Sequence, residues 1–307
     1  MEKVYFVNGF LSAGKTSFIK NLLTEEYFDT GETTLLLLCE DGEEIYEEAF
    51  CLKHNITIRE ITEEQDFTEK RIRELKNDIS PDRIIVEFNG MWDPENAIKI
   101  WPGGEILFIE IIDAQSFELY LNNMKTYLTR QVKTAYLTIF RSCDGLEAKL
   151  ASFRRNIRAV NPQTNFVFKN RAGEMNPRLD EDLPYNIYSN LLEINDEAYG
   201  VFYVDAMEYV ARYAGKIVCF TGCIFKKKKK MLLIGRQAMT CCMEDLALFA
   251  FICDLPDEGD FKESDWVRVE GKIKEEYFEK QDIRIPTIDI MWIEKCDAPR
   301  EQIITVF

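Results

Sequence analysis

The chain opens with a short apolar run, Val4-Tyr5-Phe6-Val7, then a stretch of small residues, then Phe18-Ile19-Lys20-Asn21-Leu22-Leu23, whose apolar positions recur at helical spacing. The same grammar continues over the first two-thirds. Thr33–Cys39, Arg83–Phe88, Glu105–Ile112, Tyr136–Phe140 and Asn165–Phe168 are continuous apolar runs, of the kind buried on both faces of a parallel sheet. Thr68–Asn77 and Glu147–Val160 have helical patterning, the first broken at Ser80-Pro81 and the second stopped before Pro162. Strands alternating with helices predict right-handed crossovers and a doubly wound, mostly parallel α/β sheet.

After Pro184 the pattern changes. Ile217–Phe225, Met231–Ala238, Leu246–Cys253, Trp266–Ile273 and Thr287–Glu294 are strand-like runs separated by polar turns, with Asp205–Tyr213 as a short helix leading into them. Closely spaced strands with few helices predict a small β-barrel of OB-like type. The expected organisation is an α/β domain over 1–184 and a β-rich domain over 185–307.

The candidate chemistry lies in the loop after the first strand. Gly9-Phe10-Leu11-Ser12-Ala13-Gly14-Lys15-Thr16 matches G-x-x-x-x-G-K-[ST], the phosphate-binding loop, and has the strand before it and helix after it that the motif needs. Gly9 and Gly14 permit backbone angles that turn successive N–H groups, through Ser12, Ala13 and Ser17, toward phosphate oxygens. The helix start adds partial positive charge. Lys15 reaches the β- and γ-phosphates, and the Thr16 hydroxyl completes a magnesium shell. Ligands of such sheets sit beyond the carboxyl ends of the strands. Glu40, Glu87, Asp113 and Asp144 fall there too.

Composition narrows the class. The 307 residues are comfortable for two domains, and no apolar run approaches the roughly 20 residues that span a bilayer. The start lacks a basic-then-apolar export pattern, so a cytoplasmic location is expected, with the nine cysteines as thiols or metal ligands. The net charge of −16 opposes non-specific binding to nucleic acid or anionic membrane. That charge is uneven: residues 216–307 carry 15 Lys and Arg against 17 Asp and Glu, so almost all the excess acid precedes them. Lys226–Lys230 reads as a solvated hairpin turn, with an anionic-partner patch as the other reading.

The phosphate loop Gly-Phe-Leu-x-x-Gly-Lys-Thr resembles that of the CobW-like GTPases, a group associated with metal insertion and metal homeostasis. Cys39-Glu40-Asp41-Gly42 occupies the place of that family's Asn-Glu-x-Gly switch segment, and Glu87-Phe88-Asn89-Gly90 matches its Glu-x-x-Gly motif, with Pro94 placed like the following proline. Asp113-Ala114 resembles the end of its next strand. Residues 183–307 resemble a different module, the soluble C-terminal domain of YcgQ-type proteins. Gly215–Gly222, Met239–Cys242 and Trp266–Gly271 carry that likeness.

The first resemblance implies a Mg2+-dependent GTP-binding and hydrolysing switch serving metal homeostasis or delivery. Thr16 would ligate Mg2+, Glu87 would support it, and Gly90 would let a switch backbone approach the γ-phosphate. Glu40 would contact the metal or orient the attacking water. Its other reading is a solvated acid among Asp41, Glu43, Glu44, Glu47 and Glu48. Asp113 either lies near the nucleotide or caps a helix. Lys15, Glu40 and Glu87 are thus the candidates for catalysis. The alternative class is a non-hydrolysing nucleotide-binding adaptor that presents the β domain to a protein partner. A third reading, an oligonucleotide-binding barrel, is opposed by the charge.

Three departures bear on this. The family's Cys-x-Cys-Cys metal motif has only Cys51, with Cys39 at the edge of the interval. In place of the guanine-reading Asn-Lys-x-Asp stands Arg141-Ser142-Cys143-Asp144. Asp144 can still accept the guanine N1–H and N2–H2, but arginine only donates where an amide both donates and accepts. His54 is the only histidine. For Zn2+ or another divalent metal, the remaining candidates are Cys219, Cys223, Cys241 and Cys242, with Asp245 as a substitute ligand; the plain alternative is buried free thiols.

Overall fold

The computed structural model describes residues 3–42, 44–176, 183–239, 246–279 and 282–305. The chain divides into two compact units, Met1–Leu150 with Gln163–Arg178, and Ala151–Pro162 with Leu179–Phe307.

The first unit is built on β1 (Lys3–Asn8), β2 (Thr34–Leu38), β3 (Ile56–Glu60), β4 (Arg83–Glu87), β5 (Glu105–Asp113), β6 (Leu137–Arg141), β7 (Asn165–Asn170) and β8 (Gly173–Met175). They form one sheet in the order β3-β2-β4-β1-β5-β6-β7-β8, parallel except for the last pair. The connecting helices are α1 (Lys15–Thr24), α2 (Glu48–Lys53), α3 (Glu69–Ile79), α4 (Pro94–Ile100), α5 (Phe117–Asn123) and α6 (Lys125–Lys133). The local reasons are conventional ones. Thr68 caps α3 by accepting from Arg71 N, and Ser80 ends it in a left-handed conformation before Pro81. Asp93 caps α4, which starts on Pro94, where the missing N–H costs nothing.

β2 and β4 are buried almost throughout, as their apolar runs predict. Alternate side chains of β1 enter two cores. Phe6 packs with Phe67, Phe88, Trp101 and Phe108, and Val7 packs with Ile19, Leu36, Ile85 and Ile109. β1 lies between β4 and β5, where strand order reverses, so its carboxyl end is the expected ligand position.

The second unit contains most of α7 (Leu150–Val160), then β9 (Leu191–Glu193), α8 (Tyr199–Glu208), α9 (Val210–Tyr213), β10 (Ile217–Lys228), β11 (Met231–Met239), β12 (Leu246–Asp254), β13 (Trp266–Phe278), β14 (Ile283–Lys295) and β15 (Ile303–Thr305). Five strands close on themselves as β10-β11-β12-β14-β13-β10, every pair antiparallel except β12–β14. This is the β-barrel that the closely spaced runs predict. Its core joins Phe220, Ile234, Phe251, Val269 and Ile288 to Tyr199 and Phe202 of α8. β13 and β14 run longer than their apolar patterns, because Lys274–Phe278 and Ile283–Thr287 pair as a polar ribbon held by the hydrogen-bond ladder. Among the described residues no helix is long and apolar enough to cross a membrane.

Candidate functional site

Gly9 and Gly14 carry the positive φ values of 146° and 89° that the loop requires. A side chain at Gly9 would run into the Ile111 carbonyl, and one at Gly14 into the Arg141 guanidinium. The loop therefore curls tightly over the end of β1, with Ala13 N donating to Phe10 O at 3.1 Å. Ser12 is also left-handed, at φ 63°. Lys15 is 3% exposed. Its ammonium folds back along the loop, donating to Gly9 O at 2.6 Å and Phe10 O at 3.1 Å, and meets Glu40 Oε1 at 2.5 Å.

Thr16 and Glu87 are 71 residues apart in sequence and are brought together by the β1–β4 pairing. Thr16 Oγ1 donates to Glu87 Oε1 at 2.6 Å, and the Tyr46 hydroxyl donates to Glu87 Oε2 at 2.6 Å. Burial pushes the Glu87 carboxyl above the usual carboxylate range, against these two hydrogen bonds and the Lys15 charge, while Glu40 pushes the same way as burial. Burial also raises the Tyr46 hydroxyl, helped by the Glu87 charge. Glu44 Oε1 accepts from Ser17 Oγ at 2.6 Å, and Glu47 pairs with Lys20 at 3.4 Å. Of the acidic segment, Glu40 is drawn in against Lys15, whereas Glu44 and Glu47 stay exposed while bonding to Ser17 and Lys20 of α1; Glu43 is outside the described residues. A cavity of about 120 Å3 lies between Ser12, Gly14, Thr16, Glu40, Gly42 and Glu87.

Gly90 packs its Cα against the Gly9 carbonyl so closely that any side chain would collide with it. Gln131 of α6, 1% exposed, donates to Gly90 O. Asn89 Nδ2 reaches Cys39 O at 3.3 Å, which ties the segment after β4 to the one after β2.

A larger cavity, about 620 Å3, opens beside α1 and the ends of β6 and β7, with Phe18, Gln115, Arg141, Asp144, Asn170 and Arg171 among its walls. Arg141 does not stand free in it. Its Nη1 donates to Gly14 O at 2.7 Å, which fastens the end of β6 to the Gly9–Thr16 loop. The Asp144 carboxylate accepts from Arg171 N at 3.3 Å. Gln115 bridges the Ser142 and Asp144 carbonyls at 2.9 and 3.0 Å. Asp113 accepts from Gln115 N at 3.0 Å, a local turn contact rather than a helix cap.

Tyr46, Gln115 and Gln131 are the participants that motif reading misses. Tyr46 is the one aromatic residue inside the acidic run, which is a usable signal; the two glutamines have none. In the second unit, Cys219 and Cys223 lie on one side of β10, and Arg268 Nε approaches Cys219 Sγ at 3.5 Å. Cys241, Cys242 and Asp245 lie outside the described residues. Among the described residues no group of three or more His, Cys, Asp or Glu is arranged to hold a metal. The lysine run is the predicted hairpin, turning at Lys229-Lys230, but Lys227 donates to Gly259 O and Phe261 O and Lys230 pairs with Asp257.

The family described as CobW/HypB/UreG, nucleotide-binding domain, matches residues 3–168, and the DUF1980 C-terminal domain matches residues 172–305. The chain is 24% identical over 123 residues to UPF0703 protein YcgQ of Bacillus subtilis (strain 168), a stretch covering 38% of this chain and 43% of that protein. The chain thus spans less than half the length of that relative. Among solved structures it is similar to hydrogenase maturation factor HypB from Archaeoglobus fulgidus, at 14% identity over 56% of this chain and 84% of that one, TM-score 0.43. It is also similar to HypB from Helicobacter pylori in complex with nickel, at 12% identity over 54% and 78%, TM-score 0.36.

Proposed function

The chain belongs to the CobW/HypB/UreG nucleotide-binding family, and from that premise we propose that it is a Mg2+-dependent GTP-binding and hydrolysing switch. The observation that carries the reading is the convergence of Lys15, Thr16 and Glu87 under a loop whose two glycines have the required backbone angles. The Thr16 hydroxyl and Glu87 carboxylate, 2.6 Å apart, are a hard oxygen pair that suits Mg2+; Thr16 would ligate the ion and Glu87 would support it. The ion, when bound, supplies charge neutralisation for the transferring phosphoryl group.

The remaining work falls to the chain. The loop amides from Gly9 to Ser17 hold the phosphates, and Lys15 exchanges Glu40 for phosphate oxygens as the nucleotide enters. Glu40, displaced but still tethered beside the site, orients the attacking water. Gly90 leaves its backbone N–H close to the γ-phosphate position. Asp144 reads the guanine edge in the larger cavity, and Arg141 keeps that cavity in register with the phosphate loop.

Titration with GTP, ATP and their diphosphates, with and without Mg2+, tests this together with phosphate release. The expected result is Mg2+-dependent binding that favours GTP, followed by slow turnover. Equal affinity for ATP makes the protein a general nucleoside triphosphatase. Binding without turnover returns the adaptor reading, and no triphosphate binding removes the proposal.

A further inference from the structure

Asn8 ends β1 and immediately precedes Gly9, so its conformation sets the entry to the phosphate loop. Opposite it in the parallel register stands Glu110 of β5. The two side chains are 0% and 1% exposed, and Asn8 Nδ2 donates to Glu110 Oε2 at 2.8 Å. Among the described residues, the other two oxygens of this pair, Asn8 Oδ1 and Glu110 Oε1, meet no donor. An ionised carboxylate in that place would be a buried charge without a cation bonded to it, beside a buried amide oxygen without a partner. Each is costly.

One proton removes both faults. Placed on Glu110 Oε1, it neutralises the carboxyl and supplies a donor for the amide oxygen, since a carboxylic acid and a primary amide each offer one donor and one acceptor to the other. We propose that Glu110 is a positioning residue of the phosphate site: it stands as a neutral acid, and its paired hydrogen bonds with the Asn8 amide fix the residue from which the loop springs. The proposal rests on reading Gly9–Thr16 as the triphosphate site. Asn8 sets the direction of the next peptide, and Gly9 O receives the Lys15 ammonium at 2.6 Å, so a rotation at Asn8 moves the lysine that meets the phosphates.

The surroundings agree. Burial pushes the Glu110 carboxyl up to about 8, with the Asn8 hydrogen bond and the Lys15 charge opposing it. From α1 the charged group acting on Glu110 is Lys15; β1 presents neutral Asn8 and β6 presents neutral Thr138 across the register. Nucleotide phosphates draw the Lys15 charge to themselves and add negative charge nearby, so binding strengthens the hold on this proton. Above the pH at which the empty site loses it, binding must take a proton up.

The sign for stability follows from the same shift. A carboxyl raised above its unfolded value stabilises the folded chain fully at low pH, and that contribution fades as pH rises toward about 8. The test uses the full chain and Glu110→Gln, with Mg2+-GTP affinity and thermal unfolding followed from pH 6 to pH 9.5. The glutamine preserves the two-bond pairing without a titrating proton, so it should bind GTP like the parent at pH 7. The parent should lose affinity above pH 8, by up to about tenfold per pH unit, while Glu110→Gln stays flat. The parent should also lose unfolding temperature relative to the variant between pH 6 and pH 8. Glu110→Ala should bind weakly throughout. Parallel profiles for parent and glutamine variant, with GTP bound by both, overturn this proposal alone. A parent that binds no triphosphate at any pH overturns the phosphate-site reading and the positioning role with it. Should Glu110→Gln not fold, calorimetry of the parent at pH 8.5 in two buffers of different ionisation enthalpy decides: net proton uptake on GTP binding supports the proposal, and none overturns it.

Discussion

Lys15 shows how much a single side chain does in this site. Its motif position predicts a free point charge for phosphate, but its ammonium is shared among two loop carbonyls and Glu40. Lys15→Ala should therefore abolish triphosphate binding and also destabilise the chain by about 1–3 kcal/mol, since buried acceptors lose their donor. Nucleotide titration and thermal unfolding of the variant check both parts; a variant with parental GTP affinity removes the phosphate-loop reading. At the base end, Asp144 should supply about 1–3 kcal/mol of GTP over ATP discrimination, the scale of a hydrogen bond to a charged group. Asp144→Asn should narrow the GTP/ATP affinity ratio, measured by competition, without weakening Mg2+ dependence. Gly9, Gly14, Lys15 and Thr16 stood out in the sequence because their motif restricts them to few residue types, and Glu87 and Gly90 stood out through the family resemblance. Tyr46, Gln115 and Arg141 as a loop clamp did not, because their roles arise from contacts across 27 to 127 residues of chain that no local pattern records.

At the scale of elements, continuous apolar runs marked β2, β4 and β5 because both faces of those strands are buried. β3, by contrast, is an edge strand whose Ile-Thr-Ile-Arg-Glu sequence sits among acids, and β9 and β15 are three residues each, too short to carry a period. The barrel strands were legible from spacing, and their closure is enforced by close backbone approach. A side chain at Gly235 would collide with the Phe249 carbonyl and Ala250 backbone on β12. Gly235→Ala should cost about 1–3 kcal/mol, visible as a lower unfolding temperature with GTP binding retained. The regularity of β10 also bears on the cysteines. Its pairing with β13 runs without a break from Ile217 to Cys223, so Cys219 and Cys223 lie four strand steps apart, about 13 Å at 3.3 Å per residue. Zn–S bonds of about 2.3 Å require thiolates within about 4 Å of one another. These two cysteines therefore do not share one zinc ion, and the four-cysteine site is corrected on that ground. A chelator should leave the unfolding temperature of the full chain unchanged; a fall restored by Zn2+ would show that other ligands build a site.

For the whole molecule the telling contrast is between topology and charge. The strand order β10-β11-β12-β14-β13, with a parallel β12–β14 contact, is the closed Greek-key arrangement of barrels that bind single strands through the face of their second and third strands and the adjoining loops. Such binding draws most of its affinity from cations that neutralise phosphates. Here the lysine run stands at one of those loops, yet Lys227 and Lys230 are spent on the carbonyls and acid of the 256–261 segment, and Lys274, Arg284 and Lys295 each face a carboxylate. Residues 216–307 hold slightly more acid than base, and the chain as a whole carries −16. Topology alone predicts a nucleic-acid partner, whereas charge opposes one, and the prediction follows the charge because phosphate neutralisation supplies most of such affinity. The full chain should show no binding to labelled single-stranded DNA or RNA at low salt in an anisotropy titration. Binding that weakens steeply as salt rises would overturn this and assign the exposed Lys226, Lys228 and Lys229 to a phosphate backbone.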